Sequence, residues 1–176
     1  VNVGSTSSCD FWVVKISLTG SIEWQNTIGG TGQDHLYSIK QTSDGGYILG
    51  GNSTSGINGD KTEAYFGGSF YGDYWVIKLN SAGIIEWQNT IGGPDEDKLK
   101  SIIQTNDGGY LLGGFSESGV GGDKTEPSNG LDDFWIIKLN SAGSIEWQNT
   151  IGGSGDDQVS VVLQNNDGNF IAAGHS

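Results

Sequence analysis

Two short loops carry the side chains of this chain that are best suited to hold a cation. Asp60-Lys61-Thr62-Glu63 returns further along the chain as Asp123-Lys124-Thr125-Glu126. Calcium binds about six to eight oxygen atoms, and a glycine-rich loop can offer carboxylates and carbonyls together. The threonine and the carboxylates could equally tie each turn through hydrogen bonds. Both loops are therefore candidate calcium sites, with a purely structural turn as the alternative.

A second calcium-like pattern lacks the spacing that calcium binding needs. The runs Gly29-Gly30-Thr31-Gly32-Gln33-Asp34-His35-Leu36 and Gly152-Gly153-Ser154-Gly155-Asp156-Asp157-Gln158-Val159 fit the nonapeptide of calcium β-rolls. In a β-roll, copies stack about every nine residues and share their ligands. Here neighbouring copies lie about 60 residues apart, and the middle copy contains Pro94-Asp95. We predict ordinary turns at these runs.

The sequence contains no constellation typical of an enzyme. His35 and His175 do not occupy corresponding positions, although the chain is repetitive. The pairs Asp132-Asp133 and Asp156-Asp157 are adjacent in turns, whereas glycosidases need two carboxyls facing across a bond at roughly 5–9.5 Å. The sequence has no phosphate-cradling loop with lysine and no zinc-type spacing. We predict no catalytic residues and no bound cofactor.

Cys9 is the only cysteine, and we predict an isolated thiol. A disulfide to a segment outside this chain is one alternative. Lipid attachment is disfavoured, because no apolar stretch precedes Ser7-Ser8-Cys9. The chain has no methionine and its first residues do not read as a signal peptide. We therefore expect a processed chain or a piece of a larger protein.

Composition excludes several partner classes. The 176 residues include 8 basic and 21 acidic side chains, which give a net charge of -13. Such a field repels phosphate backbones and anionic lipid, so nucleic acids and membrane surfaces are poor partners. No apolar run approaches the roughly 20 residues of a membrane helix. Low charge density and 31 glycines favour an all-β chain rich in turns.

The dominant feature of the sequence is a threefold internal repeat. Asp10-Phe11-Trp12-Val13-Val14-Lys15-Ile16 returns in similar form from Asp73 and again from Asp133. The period is 63 residues from Trp12 to Trp75 and 60 from Trp75 to Trp135. A fixed period of this length indicates one supersecondary unit stacked on copies of itself. We divide the chain into a leader, residues 1–9, and three repeats, residues 10–72, 73–132 and 133–176.

Each repeat contains four short β-type runs, which in the second copy are residues 74–79, 84–91, 99–105 and 109–115. Asn80-Ser81-Ala82-Gly83 and Asn106-Asp107-Gly108 supply hairpin turns between them. The run Tyr110-Leu111-Leu112-Gly113-Gly114 has paired glycines, which suit a crowded backbone. We assign this glycine-rich run as the innermost strand near a central axis.

Four antiparallel strands of graded burial at a fixed period predict the blade of a β-propeller. On this assignment the chain consists of three outer strands, two complete blades and one inner strand. That amounts to three blades, fewer than the usual number of about 4–8. The fold prediction is therefore all-β, either an arc of a larger propeller or half of a six-bladed homodimer.

One segment resembles a known propeller repeat. The run Ile137-Lys138-Leu139-Asn140-Ser141-Ala142-Gly143-Ser144-Ile145-Glu146-Trp147 resembles the tryptophan-docking repeat of pyrroloquinoline quinone-type propellers. In those proteins a turn ending in glycine is followed by a tryptophan that packs against the neighbouring blade. The resemblance implies blade architecture alone and carries over no quinone or metal ligands.

The whole unit is similar to β-propeller repeats of secreted Bacteroidetes proteins, many of them exported by the type IX secretion system. The similarity lies in the aspartate–aromatic–tryptophan strand, the Ile-Glu-Trp-Gln-Asn-Thr-Ile-Gly-Gly run and the Asp-Gly-Gly-Tyr turn. Loops 55–63 and 118–126, expected between blades, fit the same pattern. The resemblance covers residues 10–176 and implies an extracellular or cell-surface location.

Strictly repeated tryptophans are expected to build the blades, although aromatic faces can also stack on sugars. Functional residues tend to lie on loops where the copies differ. The differing segments are residues 64–72, with Tyr65, Phe66, Phe70 and Tyr71, and residues 127–132. We predict a non-catalytic scaffold for binding or adhesion, with a glycan or protein ligand. The alternatives are the propeller part of a polysaccharide hydrolase or lyase, and a structural spacer in a surface stalk or filament.

Overall fold

The computed structural model describes residues 8–68 and 72–176, and within them it contains strands but no helix. This confirms the all-β prediction. The strands are β1 (Phe11–Ile16), β2 (Ile22–Ile28), β3 (Asp34–Gln41), β4 (Tyr47–Ser53), β5 (Asp73–Leu79), β6 (Ile85–Ile91), β7 (Asp97–Gln104), β8 (Tyr110–Ser116), β9 (Asp133–Leu139), β10 (Ile145–Ile151), β11 (Gln158–Gln164) and β12 (Phe170–His175).

These strands form four antiparallel sheets with a simple order. We call them the first half-sheet (β1-β2), the first full sheet (β3-β4-β5-β6), the second full sheet (β7-β8-β9-β10) and the last half-sheet (β11-β12). The four-stranded, blade-like sheets agree with the prediction. The expected grouping of three, four, four and one strands is wrong, because the chain divides into two, four, four and two. Each full sheet joins the last two strands of one repeat to the first two of the next.

The glycine-rich strand explains this difference. β4 and β8 are not edge strands, since each pairs with a neighbour on both sides. A Cβ on Gly50 would lie 2.6 Å from Leu99 Cδ2, and one on Gly113 would lie 2.4 Å from Val162 Cγ1. The glycines therefore allow the next sheet to lie close against the face of β4 or β8. β7 contacts both β3 and β4 of the preceding sheet, and β11 contacts both β7 and β8.

The hydrophobic core lies between sheets. The third strands, β5 and β9, are buried along nearly their whole length. One cluster joins the first half-sheet to the first full sheet around Phe11 and Trp75, whose ring centroids are 5.0 Å apart. The equivalent cluster between the two full sheets contains Tyr74 and Trp135, with centroids 5.1 Å apart. Each sheet thus buries its apolar faces only against the next one.

The second tryptophan of each repeat docks on the following sheet. The Trp24 indole N–H donates to the carbonyl of Ser81 at 3.2 Å, and the Asn26 amide donates to the carbonyl of Gly83 at 3.0 Å. One repeat later, Trp87 lies over Gly143, and the Asn89 amide donates to its carbonyl at 2.8 Å. The short turn ending in glycine is therefore the contact surface of the tryptophan of the preceding sheet.

A buried lysine ties the strands within each full sheet. Lys78 Nζ lies 2.9 Å from Asp44 Oδ2 and 2.8 Å from Glu86 Oε2, and it donates to the carbonyl of Leu79. Its side chain is 4% exposed, whereas the equivalent Lys15 pairs with Glu23 and is 39% exposed. The hydrogen bond from Lys78 is the largest of the causes that hold the pKa of Asp44 well below its usual range.

We expect Lys78→Met to lower the free energy of unfolding by about 1.5–3 kcal/mol. The methionine keeps the packing of the stem but removes the charged hydrogen bonds that join three strands. Lys40→Met is the control and should cost much less, because Lys40 is exposed on β3 and surface substitutions usually change stability little. Urea unfolding followed by tryptophan fluorescence measures both variants. Equal losses in the two variants would contradict the assigned role of burial.

The docking of Trp87 predicts a specific cost for Gly143→Ala. Gly143 has φ 87°, and a Cβ there would lie 2.9 Å from Trp87 Cζ3. Gly108→Ala is the control, since Gly108 has φ 84° but no atom within 4 Å of its Cβ position. Both variants should lose about 1–2 kcal/mol through backbone strain. Gly143→Ala should lose about 1–3 kcal/mol more through overpacking, as measured by urea unfolding.

Candidate functional site

The structure places the two calcium candidate loops within full sheets, where they connect the second strand to the third. The expectation that these loops lie between blades is therefore wrong, for the same reason as the strand grouping. In the first loop the Asp60 carboxylate accepts from the Gly29 amide at 3.2 Å, and the Glu63 carboxylate accepts from the Thr90 amide at 2.7 Å. Both loop carboxylates are thus used as hydrogen-bond acceptors.

The second loop repeats these bonds. The Asp123 carboxylate accepts from the Gly92 amide at 3.3 Å, and the Glu126 carboxylate accepts from the Thr150 amide at 3.0 Å. Such bonds support the structural alternative for both loops. Among residues 8–68 and 72–176, no group of three or more His, Cys, Asp or Glu side chains is arranged to hold a metal ion. Calcium binding by these loops stays a prediction of the sequence.

The lysine of each loop is buried instead of exposed. Lys61 donates to the Thr90 hydroxyl, and its Nζ lies 5.1 Å from the centroid of the Trp75 ring. Lys124 makes the corresponding contacts, with its Nζ 4.9 Å from the Trp135 ring centroid. Burial is the main cause that lowers the pKa of each lysine to about 8. Each loop therefore places its lysine ammonium group inside the protein, at one end of the sheet.

A polar cleft opens near these loops, at the edge where the first full sheet meets the second. Its volume is about 270 Å³. The lining residues come from the beginnings of β3 and β7, the end of β4 and the connection into β5; they are Gln33, His35, Tyr37, Asn52, Thr54, Gly72, Glu96 and Lys98. Amide, imidazole, hydroxyl and charged groups thus converge beside one tyrosine ring.

The positions that line this cleft differ from copy to copy of the repeat. The corresponding side chains along β3, β7 and β11 and their neighbours are Gln33, Glu96 and Asp156; His35, Lys98 and Gln158; Tyr37, Lys100 and Ser160; Asn52, Phe115 and His175; Thr54 and Glu117; and Gly72, Asp132 and Cys9. We call these positions the variable edge. The aspartate between the first two positions is identical in all three copies, as Asp34, Asp97 and Asp157.

Cations and aromatic rings meet at the centre of the variable edge. Lys100 Nζ lies 4.5 Å from the centroid of the Tyr37 ring and 5.4 Å from that of Phe115. Lys98 pairs with Glu96 at 2.7 Å. Burial, followed by the neighbouring Lys98, lowers the pKa of Lys100. A positive centre therefore exists at this edge of a protein that carries a net charge of -13.

Carboxyl groups dominate the next stretch of the variable edge. Burial raises the pKa of Glu117, and the nearby carboxylate of Asp132 adds to the rise. The amide of Gln158 in turn donates to Asp132 Oδ2. The variable edge thus changes from amide, imidazole and phenol groups at β3 to lysines at β7 and acids beside β11.

Sequence reasoning missed the contact between Cys9 and His35. Cys9 Sγ lies 3.5 Å from His35 Nδ1 and 3.0 Å from Gln33 Oε1. The sequence predicted an isolated thiol at Cys9, because nothing in the spacing links residues 26 positions apart. The equivalence of Cys9 to Gly72 and Asp132 in the repeat was the available signal.

Each of the two differing segments reaches the variable edge at its last residue. Gly72 ends the first segment and lines the cleft, and Asp132 ends the second. Phe66 instead packs against Gly122, where a Cβ would lie 2.9 Å from the ring. Phe70 and Tyr71 lie outside the described residues. The prediction that these segments contain functional residues therefore stays a prediction.

No protein-family model matches the chain, and no curated protein matches it. Within residues 8–68 and 72–176, no helix is long and apolar enough to cross a membrane.

Buried aspartates support the end of the sheets beside the variable edge. Asp97 accepts from the Gly93 amide at 2.7 Å and from the Ser118 hydroxyl at 3.1 Å. Asp73 accepts from the Phe66 amide at 2.6 Å, and its second carboxyl oxygen has no hydrogen-bond partner among the described residues. Burial, the largest cause in each case, raises the pKa of Asp73 to about 7 and that of Asp97 to about 6.

These raised pKa values predict a loss of stability between about pH 4 and pH 7. The folded protein holds a proton on Asp73 after the unfolded chain, with a pKa of 3.8, has released it. Stability therefore falls as pH rises toward the folded pKa. Asp73→Asn should flatten this slope by up to about 1.4 kcal/mol per pH unit.

Urea unfolding of wild type and Asp73→Asn at pH 4, 5, 6 and 7 measures the slope. Asp156→Asn, an exposed aspartate, is the control and should leave the slope unchanged. An unaltered slope in Asp73→Asn would show that Asp73 does not titrate in this range.

Proposed function

We propose that this chain is a segment of a β-propeller that binds a ligand without catalysis, at the variable edge. The observation that carries the proposal is the pattern of repetition. Residues that pack the sheets are the same or similar in type in each copy, whereas the residues of the variable edge differ in size, charge and hydrogen-bonding capacity. Such a pattern is typical of a rigid scaffold that presents a binding surface at the ends of its strands.

The chemistry of the cleft favours a glycan over a protein as the ligand. Amide, imidazole and hydroxyl groups on Gln33, His35, Asn52 and Thr54 offer donors and acceptors for sugar hydroxyls. Tyr37 is partly exposed and adds an apolar ring face of the kind that sugar rings contact. The volume of about 270 Å³ is just below the range of about 300–1,000 Å³ for drug-sized ligands. It suits one or two sugar units of a longer chain.

We place the protein outside the cell as part of the same proposal. The support is the resemblance of residues 10–176 to repeats of secreted Bacteroidetes proteins, together with the net charge of -13, which favours solubility. In that setting the role is adhesion to, or recognition of, a polysaccharide.

The proposal predicts saccharide binding that depends on the cleft. The fluorescently labelled 176-residue chain is applied to a glycan array, and the strongest saccharide is then titrated by calorimetry. Tyr37→Ala and His35→Ala should each weaken its binding at least about tenfold, since both remove contacts at the centre of the cleft. Lys40→Ala, an exposed change further along β3, should bind like wild type.

Circular dichroism and urea unfolding must first show that the variants are folded. Absence of any saccharide ligand on the array would overturn the glycan proposal. Unchanged affinity in both cleft variants would move the binding surface elsewhere.

A further inference from the structure

The two half-sheets are complementary parts of one full sheet. In the full sheets, β4 pairs with β5 and β8 with β9. β12 corresponds to β4 and β8, and β1 corresponds to β5 and β9. The chain therefore carries the first two strands of a sheet at one end and the last two at the other. Among the described residues, each half-sheet presents an unpaired strand edge, and such edges accept a further strand.

The face of the first half-sheet that looks away from the chain is apolar and exposed. Trp12 is 65% exposed, whereas Trp75 and Trp135 at the same position are 0% exposed. Ile16 and Ile22 are also largely exposed. Leu79, which corresponds to Ile16, is fully buried. In each complete interface, this tryptophan packs on the aromatic residue of the preceding sheet.

The opposite end of the chain has a groove that fits this face. The groove has a volume of about 320 Å³ and lies between the second full sheet and the last half-sheet. Phe134, Ile136, Trp147 and Phe170 are among its lining residues. Phe134 corresponds to Phe11 and Tyr74, which pack on Trp75 and Trp135. Trp12 occupies the same position in the repeat as Trp75 and Trp135. Trp12 is therefore the side chain that fits against Phe134 in the groove.

The remaining contacts of a complete interface also have partners. Trp147 and Asn149 in the groove correspond to Trp24 and Asn26, which dock on the turn at Gly83. The equivalent turn ends at Gly20, which has φ 83° and no atom within 4 Å of its Cβ position. The docking residues and the docking turn thus lie at opposite ends of the chain.

The ion pairs of the lysines also indicate that the two half-sheets are complementary. Lys78 and Lys138 each form ion pairs with two carboxylates. One carboxylate lies in the hairpin turn that precedes the strand on one side of the lysine, and the other lies on the strand on its other side. Lys15 has the second partner, Glu23, at 2.8 Å. The residue equivalent to Asp44 and Asp107 is Asp167, in the turn before β12. Pairing of β12 with β1 supplies the missing carboxylate.

We propose that β12 of one copy of this chain pairs with β1 of a second copy, and that two such junctions close a twofold dimer. The internal register places Gly174 opposite Trp12 and Ala172 opposite Val14, as Gly51 lies opposite Trp75 and Leu49 opposite Ile77. Two copies supply four full and two composite sheets. Six sheets lie within the usual range of about 4–8 for a propeller, whereas closure of one chain would give three. The inference rests on the propeller arrangement proposed above but not on the ligand.

Light scattering of the 176-residue chain after gel filtration tests the dimer. We expect twice the mass of a single chain, more completely at higher salt because each copy carries a charge of -13. A mass of one chain at micromolar concentration would overturn the proposal. Loss of saccharide binding would not change this mass, so the two proposals fail separately.

A cross-link identifies the junction. In a Cys9→Ser background, Val14→Cys and Ala172→Cys together should form an interchain disulfide under mild oxidation, and each single variant should not. The doubly linked product runs as a dimer on a non-reducing gel. A monomer of increased mobility would show closure of the chain on itself, and that result or the absence of any cross-link would overturn the proposal.

A charge exchange tests the Lys15–Asp167 contact. Lys15→Glu and Asp167→Lys should each raise the dissociation constant of the dimer at least about tenfold, and the double variant should restore it. Asp107→Lys is the matched control, because Asp107 pairs with Lys138 inside one chain at 3.0 Å. It should lower the melting temperature but leave the dimer mass unchanged. Failure of the double variant to recover dimerisation would contradict the assigned register.

Discussion

Close packing between successive sheets is the constraint on which the rest of this structure depends. No sheet has a core of its own, since the buried clusters join residues of one sheet to residues of the next. The paired glycines of β4 and β8 allow this approach, because a side chain at Gly50 or Gly113 would collide with the sheet beyond. Stability in such an arrangement comes from neighbouring units, as in other repeat proteins.

The repeated polar residues serve the same packing. Lys78 and Lys138 hold three strands together at the edge of each interface, and Lys61 and Lys124 fill the sheet end beside Trp75 and Trp135. Buried charges of this kind are costly unless they are paired and hydrogen-bonded. Here the cost is offset by carboxylates and hydroxyls that recur with the lysines. This explains why the charged residues repeat as strictly as the apolar ones.

The side chains of the variable edge take no part in these buried clusters. The variable edge lies where sheets meet but points away from the buried clusters, so its side chains can change between copies without disturbing the core. The exposed apolar residues at the two ends of the chain can be interpreted in terms of the same packing between sheets. Trp12 and the groove around Phe134 belong to the residues that pack sheets together, yet neither is covered by the part of its own chain that the structure describes.

The sequence by itself determined the strands, the hairpin turns and the all-β class, because these depend on local patterns. Asp-Gly turns such as that at Gly108 and the apolar run of β9 are readable from neighbouring residues alone. The repeat likewise predicted blade-like sheets. The sequence indicated that the backbone is crowded at Gly113-Gly114. It could not show whether a central axis or a neighbouring sheet lies against these glycines.

Only the tertiary structure decided which strands share a sheet and which residues share a site. Gly113 lies against Val162 of the next sheet. The sheet boundaries lie one strand away from the predicted ones. The cleft joins Gln33 and His35 to Glu96 and Lys98, about 60 positions away. Such contacts depend on how sheets stack, and stacking distance and register are not encoded in any local window of sequence. The variable edge therefore became visible only when the three copies lay side by side.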